Sequence, residues 1–221
     1  MAYRVKELFH TLQGEGVNAG RAAVFCRFSG CNLWSGREEH RAGAVCRFCD
    51  TDFVGTDGPG GGAYTARELA GTAASTWEEA TGSDPLGTPG PTRPLVVCTG
   101  GEPLLQLDGG LVSELHRVGF EVAVETNGTI ELPDGIDWVC VSPKAGTEVV
   151  VRTGDELKLV FPQHGADPRD FEGPQWRFTH MVLQPMDGPE VRENTEAATR
   201  YCRSHPRWRL GLQTHKVLGI P

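Results

Sequence analysis

The chain of 221 residues carries a net charge of −8, with 38% hydrophobic and only 8% aromatic residues. That length fits one large domain or a compact fold with a long insertion, and the acidic, aromatic-poor balance argues against a nucleic-acid-binding surface. Apolar runs of only a few residues are too short for a helical membrane span, and the N-terminus lacks the basic-then-apolar pattern of a secretory signal, so the expected setting is cytoplasmic.

In chain order, "AAVFCRF" (22–28) reads as the first strand. "GTDGPGGGA" (55–63) reads as a loop on its glycine content, and "TGSDPLGTPGPTRP" (81–94) as a second one. Between them "YTARELAGTAASTWEEA" predicts a helix, opened by a capping box of Thr65 and Glu68. Further strands are expected at 94–99, 120–126, 137–142, 156–161, 180–184 and 207–213. Helices are expected at 111–118, closed by Gly119, and from Pro189 to about Ser204. Nearly continuous apolar strands suggest a parallel sheet covered by helices. Too few residues remain for eight full β/α units, so the expected fold class is α/β, a shortened (β/α) barrel in a single domain spanning 1–221.

Polar residues gather just after the predicted strands: "TGGEP", "ETNG", "SPK", "QPMD" and "QTHK". In barrels and open α/β sheets the ligand site lies at that edge.

Seven cysteines, an odd number with no signal toward an oxidising compartment, point to metal or redox chemistry rather than disulfides. Cys46-x-x-Cys49 brings two thiols together, and Cys31 joins them across fourteen intervening residues at modest extra entropy. Three readings fit that spacing. A zinc knuckle would take His40 as fourth ligand, and a "CRFC" redox pair would leave Cys31 without a role. A [4Fe–4S] cluster on three cysteines would leave one iron open for a small molecule. Cys26, Cys98, Cys140 and Cys202 fall in predicted strands or a helix and read as small core residues.

"TGGEP" favours the cluster. With Cys31, Cys46, Phe48 and Cys49, the sequence resembles the radical S-adenosylmethionine superfamily, in which Gly100, Gly101 and Glu102 would meet the methionine amino group. "ELFHTLQGEGVNAGRAAVFCRFSGC" (7–31), "CDT", "TGGEPLLQ", "ETNG", "SPK", "LQP" and "QTHK…GIP" narrow the resemblance to the 7-carboxy-7-deazaguanine synthase family. Most of that family has three residues between the first two cysteines; the fourteen here match a variant clade. The glycyl-radical activases share the three cysteines but need a protein partner, and "TLQGEG" argues against them.

The resemblance implies ring contraction of 6-carboxy-5,6,7,8-tetrahydropterin to 7-carboxy-7-deazaguanine with release of ammonia. S-adenosylmethionine would be cleaved reductively to a 5′-deoxyadenosyl radical and regenerated. It implies cofactor contacts from Phe48, Cys49, Asp50, the Gly100–Glu102 run, Glu125, Asn127, Ser142, Pro143, Lys144, Gln184, Pro185, Met186 and Asp187. Pterin contacts would come from Leu12, Gln13, Gly14, Glu15, Arg27, Thr99, His215 and Pro221, with Arg27 forking onto the carboxylate. Thr51 would offer its hydroxyl to Mg2+, a hard cation that prefers oxygen. Residues 31–63 would form the cluster loop and a Gly-rich insertion, and 207–221 would close over the substrate. A flavodoxin or ferredoxin type electron donor and a homodimer are also implied, with neither nucleic acid nor a membrane involved.

Overall fold

Residues 2–87 and 93–221 are described by the computed structural model; part of the predicted loop 81–94 (88–92) lies outside them. The chain opens with an antiparallel pair, β1 (Tyr3–Leu12) and β2 (Ala22–Phe28), joined through the "QGEG" turn. A short β3 (Gly62–Tyr64) adds to the outer side of β1, again antiparallel. From β2 onward every neighbour is parallel: β4 (Leu95–Gly100), β5 (Glu121–Thr126), β6 (Trp138–Val141), β7 (Thr153–Phe161), β8 (Arg177–Pro185) and β9 (Trp208–Leu210). The result is one nine-stranded sheet, ordered β3-β1-β2-β4-β5-β6-β7-β8-β9, that is not closed. An open, curved α/β sheet of this kind agrees with a partial barrel.

The helices are set by local chemistry. α1 (Ala66–Thr81) begins at the predicted capping box: the Thr65 hydroxyl accepts from the Glu68 N–H, and Glu68 reaches back to the Thr65 N–H at 2.8 Å. It ends on Gly82 in the left-handed conformation. α2 (Gly109–Arg117) is capped by Asp108, which accepts from Leu111 N–H at 3.0 Å. α3 (Val191–Ser204) packs on β8 and β9.

Strand residues alternate between two faces, which decides where the site can form. On one face Val24, Cys26, Phe28, Val96, Cys98, Val122 and Val124 meet Leu69, Ala73, Trp77, Leu111 and Leu115 of α1 and α2 in the main core. The opposite face is apolar only at its base, where Ala23, Leu95, Val97 and Ala123 cluster with Phe25 and Trp138. Two residues further along the same strands the face turns polar. Arg27 is opposite Thr99, Glu125 is opposite Cys140, and Cys140 is opposite Glu156.

Two expectations need correction. The expected strand 207–213 stops at Leu210: Gly211 N–H still reaches Leu183 O, but Gln213 already caps a short helix, α4 (Thr214–Leu218). The first strand is not 22–28 but β1, which runs into the "TLQGEG" motif at Thr11 and Leu12 and whose alternation is blurred by a register shift between Val5 and Glu7. The 55–63 segment is glycine-rich because it lies on β1: Gly58 N–H donates to Lys6 O at 3.0 Å, and Leu8 N–H to Pro59 O at 2.7 Å. The remaining cysteines sit as expected, with Cys26, Cys98 and Cys140 buried in strands and Cys202 half-buried in α3.

Candidate active site

A cavity of about 370 Å³ opens at the C-terminal ends of the parallel strands. All five strand-end motifs contribute to its wall: Thr99, Gly100 and Gly101; Glu125 and Asn127; Ser142 and Lys144; Gln184 through Asp187; and His215. Cys31, Cys46 and Cys49 line it with Phe48, Asp50 and Thr51, and Leu12, Gln13, Gly14, Glu15, Arg27 and Pro221 complete it. Of the predicted site residues only Glu102 and Pro143 are absent from the wall. Pro143 is buried, and its carbonyl accepts from Gln163 Nε2 at 3.3 Å.

Glu102 faces inward and is fully buried. Oε1 accepts from Thr126 Oγ1 at 2.7 Å and Leu104 N–H at 3.0 Å; Oε2 accepts from Asn127 N–H at 2.8 Å. Its own N–H donates to Gly30 O at 2.9 Å. Burial raises the Glu102 carboxyl, while these donors pull the other way. The side chain is therefore a brace among β4, β5 and the turn carrying Cys31, while the backbone of Gly100 and Gly101 faces the cavity. A Cβ on Gly101 would collide with the Gly30 carbonyl and sit 2.8 Å from Cys31 Cβ, so only glycine fits there.

At the cysteine wall the Cys46 and Cys49 thiols hydrogen-bond each other. That bond, with donors from Thr51, takes Cys49 down to about 6 against the opposing effect of burial, and the same bond and burial push Cys46 up. Burial also raises Cys31, whose Sγ accepts from Leu33 N–H at 3.4 Å. Lys144 lies across from them, its Nζ 5.9 Å from the Phe48 ring centroid and donating to Ser142 O and Oγ at 2.7 Å each. Burial lowers the Lys144 ammonium.

The long segment between Cys31 and Cys46 has its own packing. Trp34 is edge-on to Phe53 at 5.6 Å, and the Arg41 guanidinium covers the Trp34 ring at 4.0 Å. Arg41 Nη1 also donates to Arg47 O at 2.9 Å and Cys49 O at 3.1 Å, tying the segment to the C-x-x-C turn. His40 is exposed, with Nδ1 2.8 Å from Ser35 Oγ, and does not reach the cavity.

The opposite end of the cavity is charged. Lys158, on β7 and almost wholly buried, places Nζ 2.6 Å from Glu15 Oε2 and 3.4 Å from Glu125 Oε1. Gln213 Nε2 donates to Glu15 Oε1 at 2.8 Å and Gln13 Nε2 to Glu125 Oε1 at 3.0 Å. Gln184 Oε1 is buried without a hydrogen-bond partner, an acceptor free for a ligand. Arg27 pairs through Nε with Glu7 Oε1 at 2.7 Å. The C-terminal segment folds across this end. Thr214 N–H and Oγ1 donate to Gly14 O at 2.8 and 3.0 Å, and Thr11 Oγ1 donates to Pro221 O at 2.9 Å. Lys216 bridges Asp50 at 2.5 Å and Asp187 at 2.7 Å. A Cβ on Gly14 would meet Cβ and Cγ of His215 at 2.7 Å, so the "QGEG" turn needs glycine for this closure.

The chain is 61% identical over 221 residues to the 7-carboxy-7-deazaguanine synthase of Bradyrhizobium diazoefficiens, and both chains are covered completely. It is 60% identical over 222 residues to that of Caulobacter vibrioides, again across both whole chains. The chain belongs to the 7-carboxy-7-deazaguanine synthase family. Among solved structures, QueE from Escherichia coli shares the fold with a TM-score of 0.67 at 27% identity, over 97% of this chain and 95% of that one. No protein-family model matches the chain.

The residues of this synthase-family cavity suit the [4Fe–4S] cluster that the radical S-adenosylmethionine fold implies. Three thiols face one space, whereas among the described residues no three His, Cys, Asp or Glu side chains are placed to hold a single metal ion. A zinc knuckle also loses its fourth ligand with His40 turned to Ser35.

Sequence reasoning missed Lys158, Arg41 and Lys216. A lone lysine in "ELKLVF" is the available signal for the first and the "QTHK" motif for Lys216; nothing local marks Arg41.

Glu102→Ala removes the acceptor for three buried donors and should cost about 3–5 kcal/mol in denaturant unfolding of the apo chain. Arg41→Ala should leave that stability within about 1 kcal/mol. It should slow iron uptake during reconstitution several-fold, and Arg41→Lys should not restore it, because an ammonium has no planar face for Trp34 and no Nε to hold Glu38 while it donates to the two carbonyls.

Proposed function

We propose that this chain contracts the ring of 6-carboxy-5,6,7,8-tetrahydropterin to 7-carboxy-7-deazaguanine, releasing ammonia, in 7-deazapurine biosynthesis. The observation that carries it is full-length identity of 61% to a 7-carboxy-7-deazaguanine synthase, together with three cysteines and the Gly-Gly backbone on one cavity wall. Substrate and products balance without net oxidation, so a cofactor used catalytically suffices.

A cluster held here with S-adenosylmethionine would supply the one-electron chemistry needed at C6 of the pterin. The chain's residues bind, orient and exclude water. Cys31, Cys46 and Cys49 hold the cluster. The backbone of Gly100 and Gly101 offers the methionine amino group a close approach, and Asn127, Ser142, Lys144 and the Gln184–Asp187 run border the rest of the cofactor. Arg27 reads the pterin carboxylate. Thr51 would supply one oxygen to Mg2+. Glu15 accepts from the pyrimidine edge, and Gln13 donates to it; Glu125, expected among the cofactor contacts, is assigned here to the same edge because it lies 3.4 Å from Lys158 Nζ and accepts from Gln13 Nε2 at 3.0 Å. His215 and Pro221 close the mouth, and residues 207–221 act as the cover. A cytoplasmic setting follows from thiols that must stay reduced, and the electron from a flavodoxin or ferredoxin type donor. A homodimer completes the proposal.

Anaerobic reconstitution followed by incubation with the carboxypterin, S-adenosylmethionine and a reductant tests it. The expected result is 7-carboxy-7-deazaguanine in many turnovers per S-adenosylmethionine. A reconstituted protein that cleaves the cofactor yet leaves the pterin unchanged would overturn the reading and favour a protein substrate.

A bulky C-terminal tag should cut pterin turnover at least about tenfold while iron content stays unchanged, since it would displace Pro221 from Thr11. Comparing tagged and tag-cleaved protein checks this.

A further inference from the structure

Lys158 is the one cation deep in the ring-binding end of the cavity among the described residues, its side chain only 6% exposed. Carboxylates reach it from two directions. Glu15 comes from the turn after β1 and Glu125 from β5. Cys140 on β6 and Glu156 on β7 also face it, and Lys144, after β6, is the next positive charge. Glu156 is occupied elsewhere: Oε2 accepts from Val17 N–H at 2.8 Å, and burial raises its carboxyl.

Without Lys158, Glu15 and Glu125 would be like charges in a shared, poorly solvated space, and one of them would take a proton. A protonated carboxyl donates; a carboxylate only accepts. The difference matters because a 2-amino-4-oxopyrimidine edge presents N–H donors.

We infer that Lys158 is a positioning residue: it holds Glu15 ionised and keeps both Glu15 and Glu125 aimed, so that this end of the cavity selects a fused pyrimidine by its N–H edge. The inference rests on the function proposed above. Glu15, held down to about 2 by Lys158 and by the Gln213 and Gln184 amides despite its burial, is consistent with this arrangement.

The test compares Lys158→Met and Lys158→Arg in reconstituted full-length protein. With Met, the KM for the carboxypterin should rise at least ~10-fold at neutral pH, one pKa unit being a factor of ten. The acid limb of kcat/KM should move up by about one unit or more, and the KM deficit should shrink at high pH, where Glu15 ionises unaided. S-adenosylmethionine affinity should stay within about twofold. With Arg, the charge remains and the acid limb should stay at the wild-type position. A Met variant whose acid limb coincides with wild type, or an Arg variant displaced as far as Met, overturns the inference.

Apo-protein melts give a readout independent of substrate. A carboxylate with a depressed folded pKa stabilises above its unfolded pKa; one raised by losing its counter-ion costs more as pH rises above that value. The Tm gap between wild type and Lys158→Met should therefore widen from pH 5 to pH 8. The double variant Glu15→Gln/Lys158→Met should melt closer to wild type than Lys158→Met does. A gap constant with pH overturns the inference. If wild type neither binds nor converts the carboxypterin, the proposed function fails by itself, and the melts still decide the ion pair.

Discussion

Everything at the strand-end edge depends on one buried carboxylate. Glu102 has no exposure, yet it gathers a hydroxyl from Thr126 and backbone N–H groups from Leu104 and Asn127, while its own N–H holds Gly30. Three segments with no sequence proximity are thereby fixed to one another: the turn before Cys31, the junction of β4 with the 3-10 turn at Pro103, and the end of β5. Asn127 extends the brace, since its Nδ2 donates to Asn32 Oδ1 at 2.9 Å, one residue beyond Cys31. A carboxylate makes this possible because it accepts several hydrogen bonds while the low dielectric strengthens each one. It also explains why the two glycines before it face the cavity: with the side chain committed inward, the preceding backbone is turned outward.

The same sheet separates binding work by charge. The helix-covered face is mainly apolar, with His10 of β1 edge-on to Trp77 as an exception. The other face carries an apolar base and then polar side chains from successive strands, and among these the chain places two lysines at opposite ends. Lys144 accompanies the cysteines and Phe48, and Lys158 accompanies Glu15 and Glu125. An acidic protein with net charge −8 thus places a lysine at each end of its cavity. The C-terminal segment then spans both ends, with Lys216 on Asp50 and Asp187 beside the cysteine wall and Gln213 on Glu15 beside Lys158.

Much of this was legible in the sequence because it is local. β2 and the α1 capping box are written in contiguous residues, and the strand-end motifs mark the cavity edge by their departure from apolar pattern. The family resemblance pointed at the cysteines and the "TLQGEG" turn for the same reason, since motifs are short. What escaped was long-range. The inward turn of Glu102 depends on β5, 24 residues on, and Lys158 meets Glu15 across 143 residues. β1 could not be seen as a strand because its alternation is broken at Val5–Glu7. The truncated β9 likewise follows from a tertiary event, the turn of Gln213 toward Glu15.

The fourteen residues between Cys31 and Cys46 are best understood by what their length costs and what offsets it. Closing a loop of that size rather than a three-residue one adds only about 1–2 kcal/mol of chain entropy. Burial of Trp34 against Phe53 and the stacking of Arg41 are together of comparable size. The segment can therefore be ordered before any cluster arrives. Its order has a direction: Arg41 donates to the carbonyls of Arg47 and Cys49, while Val45 and Cys46 N–H groups return to Leu33 O at 3.2 and 3.4 Å. Both sides of the C-x-x-C turn are thus held by the same insertion, and Cys46 is buried as a result. A longer spacing in this chain does not loosen the ligand set; it replaces a short covalent tether with a small packed unit that sets the thiols in place.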